Sequence, residues 1–137
     1  MTDKSKQGKK NRQAGARFEL KVRKDLENLQ NWNVSKFMNN VDIANNTLIP
    51  AKHKFRGKGI PMAIGTGFPD FICWKKTDSP NDKFYWCIGV EVKSNGYLTK
   101  EEKEKCKWLL DNDVFSVILI ASKGEKRGKI VYKEFER

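Results

Sequence analysis

The strongest structural signal in this chain is an apolar segment at residues 84–93, which reads FYWCIGVEVK. Successive side chains of a β-strand point to opposite faces of a sheet. Every second residue from Phe84 to Val92 is apolar, so these side chains would form one buried face, whereas Glu91 and Lys93 would lie together on the other face. The pattern predicts a core strand that ends with a carboxylate and an ammonium close together.

A second segment, GFPD at residues 67–70, begins the preceding apolar strand, which is predicted over 68–75. Gly67 allows a tight turn, and Pro69 fixes the backbone just before Asp70. If Asp70 lies at the end of a strand beside the one described above, its carboxylate converges with the two charged groups of that strand. We therefore predict an acid–acid–lysine cluster. The alternative interpretation is a solvated sheet face next to a turn aspartate.

The remaining periodicity predicts an α/β domain with a mixed central sheet flanked by helices. Apolar residues at helical spacing predict a helix over 13–29, and a capping box of Thr99 and Glu102 begins a second helix. The predicted order is α-β-β-β-α-β-β, with strands at 32–38, 68–75, 84–94, 114–121 and 129–135. Because a helix connects the third and fourth of these strands, we expect that pair to be parallel.

Two segments are predicted to be less regular than this core. Residues 1–12 are expected to form a basic flexible tail, followed by a single domain over 13–137. Residues 39–66 are polar and contain several glycines, and are expected to form a long loop with one short strand near 47–49. A loop of this length in a small domain is either mobile or functional.

Composition indicates the class of partner. The chain has 137 residues and a net charge of +11, with 38% apolar and 33% charged residues. This basic balance favours a polyanionic partner, with nucleic acid first and an acidic membrane surface second. No apolar run has membrane-spanning length and residues 1–10 do not resemble a signal peptide, so a cytoplasmic protein is expected. Cys73, Cys87 and Cys106 lack zinc-ligand spacing and are expected to be reduced, buried thiols.

Two basic segments are candidates for contacting phosphates, one in the tail and one in the long loop. Lys and Arg neutralise phosphates without reading base sequence. The candidate DNA-binding residues are Lys9, Lys10, Arg12, Lys52, Lys54, Arg56 and Lys58. Solvated surface charge is the alternative for both segments, and the sequence leaves the two interpretations open.

The acid–acid–lysine cluster has the chemistry that phosphodiester hydrolysis requires. Hard cations such as Mg²⁺ or Mn²⁺ take oxygen ligands, which Asp70, Glu91 and the backbone carbonyl of Val92 would supply. Such a cation activates a water, stabilises charge at phosphorus and neutralises the leaving oxygen. Lys93 would orient or help to deprotonate the attacking water and offset charge on the phosphate. The sequence therefore predicts a metal-dependent nuclease.

These segments resemble the signature of the PD-(D/E)xK nuclease superfamily, with Pro69-Asp70 and Glu91-Val92-Lys93 as its two parts. The segments GFPD, GVEVK and LTKEE, at residues 67–70, 89–93 and 98–102, are similar to the VRR-NUC branch. GARFE at residues 15–19 resembles archaeal-type Holliday-junction resolvases. The resemblance implies a restriction-endonuclease-like three-layer core, cleavage of DNA with Mg²⁺ or Mn²⁺, and often a homodimer.

The resemblance also implies roles for individual residues. Asp70 and Glu91 match the metal ligands, and Lys93 matches the catalytic lysine. Glu19 matches a helix glutamate that contributes to the metal site, often through water. Glu102 stands where many relatives have a glutamine that contacts substrate or metal-bound water. Its carboxylate would add a ligand, repel phosphate, or act only as the capping partner of the second helix.

The predicted activity is structure-selective cleavage of branched DNA, such as Holliday junctions, because a domain of this size has no room for a separate sequence-reading module. A dimer would cut both strands, whereas a monomer would nick one. The alternatives are a sequence-specific restriction-type nuclease, a non-catalytic nucleic-acid-binding module and a basic RNA-binding protein. The acidic cluster argues against the last two, since a pure binder gains nothing from carboxylates that face phosphate.

Overall fold

The computed structural model describes residues 3–51, 53–55, 61–64, 67–78 and 83–137, with the backbone alone described at 53–55 and 61–64. The helices among these residues are α1 (Asp3–Asn28) and α2 (Lys100–Asp111). The strands are β1 (Asn33–Lys36), β2 (Asn39–Asp42), β3 (Thr47–Pro50), β4 (His53–Phe55), β5 (Pro61–Ile64), β6 (Phe71–Lys76), β7 (Tyr85–Val92), β8 (Val117–Lys123) and β9 (Ile130–Glu134).

The central sheet has five strands in the order β1-β6-β7-β8-β9. Strands β7 and β8 are parallel, with Val92 opposite Ala121, and the other neighbouring pairs are antiparallel. Parallel neighbours need a crossover connection, which α2 provides between β7 and β8. The α/β class and the parallel pair that the sequence predicts are both confirmed.

The two helices cover opposite faces of this sheet. On the α1 face, Phe18, Val22 and Leu26 pack with the buried side chains Phe71, Cys73, Ile88 and Val90. On the α2 face, Cys106, Leu109 and Leu110 pack with Phe115, Ile118 and Ile120. Fully burying an aliphatic or aromatic side chain contributes roughly 1.5–3 kcal/mol, so these clusters, rather than helix propensity, fix both helices on the sheet. Because Val90 and Val92 pack on the α1 face, alternation along β7 assigns Glu91 to the α2 face.

Helix α1 begins ten residues earlier than the sequence predicts. Residues 3–12, expected to form a flexible tail, are its first turns, and the first buried side chain of α1 is Phe18. The early turns are rich in Lys, a residue type that favours the helix without burying a side chain in the core, and Gln7 bonds Asn11 one turn away. Neither described helix is long and apolar enough to cross a membrane.

The described residues of the polar segment at 39–66 form four short strands, β2 to β5, rather than one long loop. Strands β2 and β3 pair as an antiparallel hairpin, which confirms the expected short strand, and β4 pairs with β5. Val41 of the first hairpin enters the α2-face cluster, and the indole of Trp108 donates to Asn46 Oδ1 at 2.5 Å. Asp and Asn stabilise tight turns, and here Asp42 accepts a hydrogen bond within the turn between β2 and β3 while Asn46 takes a φ of 52°. The sequence prediction missed this turn because the whole segment is polar.

The apolar face predicted to begin at Phe84 becomes buried only from Ile88 onward. Phe84 and Trp86 are 59% and 51% exposed. The expectation of a fully buried face is wrong at this end because α1 covers only the later part of β7. Strand β7 is therefore solvent-exposed where it begins and buried where it ends, and Glu91 lies in the buried part.

The three cysteines are free thiols, as the sequence predicts. Cys73 and Cys106 are fully buried, and burial raises the pKa of each to about 12. Cys87 is half-buried, and burial raises its pKa as well. These thiols pack as small apolar groups on the two faces of the sheet.

Candidate active site

The two carboxylates predicted to converge are brought together by strand register. Strand β6 runs antiparallel to β7 with Phe71 opposite Val90, so the next position in each strand places Asp70 opposite Glu91 on the same face. Directly opposite side chains lie about 4.5–5.5 Å apart at Cβ. The backbone N–H of Val92 donates to Asp70 Oδ2 at 2.8 Å, which fixes the aspartate against the end of β7.

The backbone at and before Asp70 is held from its other side by residues 37–39, where β2 begins. The N–H of Phe68 donates to the carbonyl of Asn39 at 2.8 Å, and the N–H of Phe37 donates to the carbonyl of Asp70 at 3.1 Å. A Cβ on Gly67 would lie 1.9 Å from the Phe37 carbonyl oxygen, so this close backbone approach requires glycine. The Phe68–Pro69 peptide bond is cis.

Gly67→Ala is expected to lower the free energy of unfolding by about 3 kcal/mol, because the new methyl group meets backbone oxygens that cannot swing aside. The matched control is Gly15→Ala, on the exposed part of α1 with nothing within 4 Å of the added Cβ. That control should stabilise by roughly 0.5–1 kcal/mol through helix propensity. Urea denaturation followed by circular dichroism measures both, and equal midpoints for Gly67→Ala and the wild type would contradict the expectation.

Glu91 is 4% exposed, and it is the one charged residue in the described part of the chain that is buried. Burial, a side-chain hydrogen bond with Asp70 and the charge of Asp70 raise the pKa of Glu91 to about 10, although Lys93 acts in the opposite direction. In the metal-free protein, Glu91 therefore keeps its proton at neutral pH and its side chain hydrogen-bonds Asp70. A divalent cation would take the place of that proton.

The metal-free protein is expected to lose stability as the pH rises from about 6 to about 8.5. The unfolded chain releases the Glu91 proton near pH 4.5, whereas the folded protein holds it up to about pH 10. The folded state thus binds more protons, and the free energy of unfolding falls as pH increases. Glu102, with its pKa lowered from 4.5, and Lys93, with its pKa raised from 10.5, act outside this window.

Urea denaturation in EDTA at several pH values checks this dependence. The Glu91→Gln variant lacks the titrating group, so its midpoint should change less with pH than that of the wild type. Parallel pH profiles for the two proteins would show that Glu91 titrates alike in the folded and unfolded states, against the expectation.

Lys93 is held by the first turn of α2. Its ammonium lies 2.5 Å from Glu102 Oε2. The other oxygen of the same carboxylate accepts the backbone N–H of Thr99 at 2.9 Å, and Thr99 Oγ1 accepts the N–H of Glu102 at 3.2 Å. The capping role of Glu102 predicted from the sequence is confirmed. A single carboxylate therefore begins α2 and anchors Lys93.

The charges of this pair stabilise each other. Burial alone would lower the pKa of Lys93, but the hydrogen bond to Glu102 and the charges of Glu102, Glu91 and Asp70 raise it above its usual value. Burial would raise the pKa of Glu102, but its bonds from Lys93 and Thr99 lower it. Lys93 is accordingly an ammonium at neutral pH.

These groups line a cavity of about 300 Å³. Its lining residues are Asn40, Gly67, Phe68, Asp70, Glu91, Val92, Lys93, Glu101, Glu102 and Lys105. Sequence reasoning missed Asn40 and Lys105. Lys105 bonds Glu101 at 3.3 Å, and its ammonium lies 5.8 Å from the Phe68 ring centroid. The available signal was helical spacing, since residues 101, 102 and 105 share a face of α2.

The donor set fits a hard divalent cation. Asp70 and Glu91 supply two carboxylates. The N–H of Val92 points to Asp70. In an antiparallel strand pair the N–H and carbonyl of one residue face the same neighbouring strand, so the Val92 carbonyl also faces the side of Asp70. The described residues contain no group of three or more His, Cys, Asp or Glu side chains arranged to hold a metal. Two carboxylates are sufficient for Mg²⁺, which usually keeps several waters.

The structure does not bring Glu19 into this group. Its carboxylate bonds Lys36 at 2.9 Å, in a separate hollow that Arg23 and Phe71 also line. The hollow lies on the α1 side of the sheet, because α1 and Phe71 belong to the cluster on that face. The metal-site role that the resemblance implies for Glu19 is therefore not supported by its position.

The candidate DNA-binding residues fall into two sets. Lys9, Lys10 and Arg12 are exposed on the projecting part of α1. Lys52, Arg56 and Lys58 lie outside the described residues, and at Lys54 the backbone alone is described, in β4.

Comparison of the chain with family models, with curated proteins and with solved structures finds no match. The functional argument therefore rests on the geometry of the cavity.

Proposed function

We propose that this chain is a metal-dependent endonuclease that hydrolyses DNA phosphodiesters on a restriction-endonuclease-like core. The observation that supports it most is the pairing of Asp70 and Glu91 in a cavity that also contains Lys93. Burying one carboxyl group against another is unfavourable in the metal-free protein, because desolvation and like charge both oppose ionisation. A bound cation removes that penalty, whereas a purely structural role for these residues gives no reason for it.

Asp70, Glu91 and the Val92 carbonyl would hold the cation. Mg²⁺ or Mn²⁺, when bound there, supplies an activated water and stabilises negative charge on the phosphate. The Val92 N–H orients the Asp70 carboxylate, and the packed end of β7 orients Glu91. Fixed ligands of this kind need no rearrangement when the substrate arrives.

Lys93 would stabilise negative charge on the reacting phosphate and orient the attacking water. Its raised pKa supports a cationic role over that of a general base, since a base must be deprotonated at the working pH. Lys105 also lines this cavity, where its charge is paired with that of Glu101.

Branched DNA is the proposed substrate class and a homodimer the proposed functional form, since one site cuts one strand. The exposed cations of α1 (Lys9, Lys10 and Arg12) support a nucleic-acid partner. A single small domain reads shape and backbone more readily than base sequence.

The test is a cleavage assay under single-turnover conditions with a four-way junction, a flap, single-stranded DNA, linear duplex and a matched RNA hairpin. Cleavage is expected with Mg²⁺ or Mn²⁺ and not with EDTA, fastest on a branched DNA substrate, with the cuts mapped on each strand. Binding of DNA without cleavage of any substrate in either metal would reject the enzyme in favour of a non-catalytic binding module.

A further inference from the structure

A second concave surface lies between α1 and the connection from β8 to β9. This basic groove has a volume of about 590 Å³. Its charged lining consists of six cations (Arg17, Lys21, Lys123, Lys126, Arg127 and Lys129) and one carboxylate, Glu125. The groove shares no lining residue with the cavity that contains Asp70.

Among the described residues, the six cations have no acidic partner within ion-pair distance, unlike several other cations. Lys36, Lys93 and Lys105 each bond a carboxylate. Within the described ranges, no groove cation makes an ion pair. Unpaired cations that line a concavity produce a focused positive potential, which attracts polyanions.

The groove is held in shape by its own backbone. The N–H of Gly124 donates to the carbonyl oxygen of Lys129 at 2.7 Å. The N–H of Lys129 donates to the carbonyl oxygen of Lys126 at 3.1 Å. Gly128 takes a φ of +84°, which closes the turn. The Lys123 ammonium lies 5.6 Å from the Phe18 ring centroid, so the end of β8 lies next to α1 at this wall of the groove.

The groove and the candidate active site lie at the same end of the sheet but on opposite faces, since α1 lines the groove and the paired carboxylates lie on the α2 face. The N–H of Lys123 donates to the carbonyl of Ser94, just past the end of β7. Lys123 is therefore three residues beyond Glu91 along the strand direction and one strand across, which is roughly 11 Å between Cα atoms. Because the two side chains project from opposite faces, a DNA arm held in the groove would pass around this end of the sheet to reach the candidate active site.

We propose that the basic groove binds the phosphate backbone of a duplex DNA arm that flanks the scissile bond. The inference rests on the proposed function and adds to it the surface that positions the substrate. Lys10 lies seven residues before Arg17 on the same face of α1 and extends the positive surface outward.

An acidic membrane fits this surface less well. The largely exposed first part of α1, residues 3–17, has no large apolar side chain, whereas a helix that binds a bilayer surface needs an apolar face to bury. The groove is also concave, which suits a rod-like polyanion better than a flat membrane.

The test combines Lys126→Gln, Arg127→Gln and Lys129→Gln, three exposed substitutions in the β8–β9 connection. Binding of a 30-base-pair duplex, about three helical turns, is measured in EDTA by fluorescence anisotropy over a range of salt concentrations. Affinity is expected to fall at least about tenfold, and the slope of log K against log salt to decrease by about 2 to 3. The matched control changes Lys76, Lys83 and Lys107, exposed lysines outside the groove, to glutamine and should keep most of the affinity and slope.

Equal losses in the groove variant and the control would overturn the inference, since bulk charge would then explain binding. It would also be overturned if the groove variant lost binding to phosphatidylserine vesicles while its DNA affinity stayed unchanged. The binding readout is independent of cleavage: a wild-type protein that binds through the groove but cuts nothing refutes the proposed function alone. A groove variant with wild-type affinity in a protein that cuts DNA refutes the groove alone.

Discussion

Glu91→Gln is expected to reduce metal-dependent cleavage by at least about 1,000-fold, equivalent to about 4 kcal/mol in the barrier. Glutamine keeps the size of the side chain and can still hydrogen-bond to Asp70. It lacks the negative charge that a divalent cation requires, so the cation site loses one of its two carboxylates. Single-turnover cleavage rates at saturating Mg²⁺ measure the effect.

The same substitution should stabilise the metal-free protein. At pH 8 the wild type must keep a proton on a buried carboxyl group whose pKa is raised to about 10, and an amide carries no such requirement. We expect a higher melting temperature for Glu91→Gln in EDTA and a smaller increase on adding Mg²⁺ than in the wild type. Loss of activity together with increased stability distinguishes a functional carboxylate from a structural one.

Glu101→Gln is the matched control for this experiment. Glu101 lines the same cavity, but its side chain is 73% exposed and bonds Lys105 rather than Asp70. Its replacement should leave the cleavage rate within a few-fold of the wild type. If Glu91→Gln also cleaved within about tenfold of the wild type, the assignment of Glu91 as a metal ligand would be wrong.

Lys93→Met is expected to lower kcat by about 100- to 1,000-fold, comparable with the loss of one preorganised donor to a developing oxyanion. KM should change little if, as proposed, the first turns of α1 and the basic groove supply most of the phosphate contacts. Methionine retains the aliphatic length of the side chain, so the packing of β7 is preserved. Steady-state kinetics on the best substrate measure both parameters.

Glu102→Gln separates the two roles of that carboxylate. The amide oxygen can still accept the Thr99 N–H, so α2 keeps its cap, but the ionic attachment of Lys93 is lost. We expect a slightly lower melting temperature, because the ion pair with Lys93 is lost, and a kcat lower by about tenfold, with KM unchanged or decreased because a negative charge near the phosphate is removed. A wild-type kcat would mean that Glu102 acts on the helix alone, and Lys93 would not need to be positioned by it.

The convergence of Asp70, Glu91 and Lys93 could be predicted because it depends on local rules. Alternation fixes the face of each strand residue, and antiparallel neighbours bring the start of one strand to the end of the other. The capping box was equally local. The ion pair between Lys93 and Glu102 was not, because it depends on where the first turn of α2 lies over the sheet, which is set by tertiary packing.

Other differences have the same origin. Helical spacing placed Glu19 beside the apolar stripe of α1 but did not show which face of the sheet α1 covers. On that face, Lys36 of β1 is the partner of Glu19. The polar composition of residues 3–12 suits a solvated helix as well as a tail, so the start of α1 was missed. Apolar alternation at Phe84 and Trp86 predicted burial without knowledge of how far the covering helix extends.

The buried cysteines have a practical consequence for distance measurements in solution. Cys73 and Cys106 have pKa values of about 12, and burial also raises the pKa of Cys87, so native thiolates are scarce at pH 7. A cysteine introduced at the exposed Gln7 would react with a maleimide dye far faster than any of them. The native cysteines should therefore react little with the dye, so that position 7 can be labelled selectively. Energy transfer from position 7 to end-labelled DNA would then report the path of the duplex across the protein.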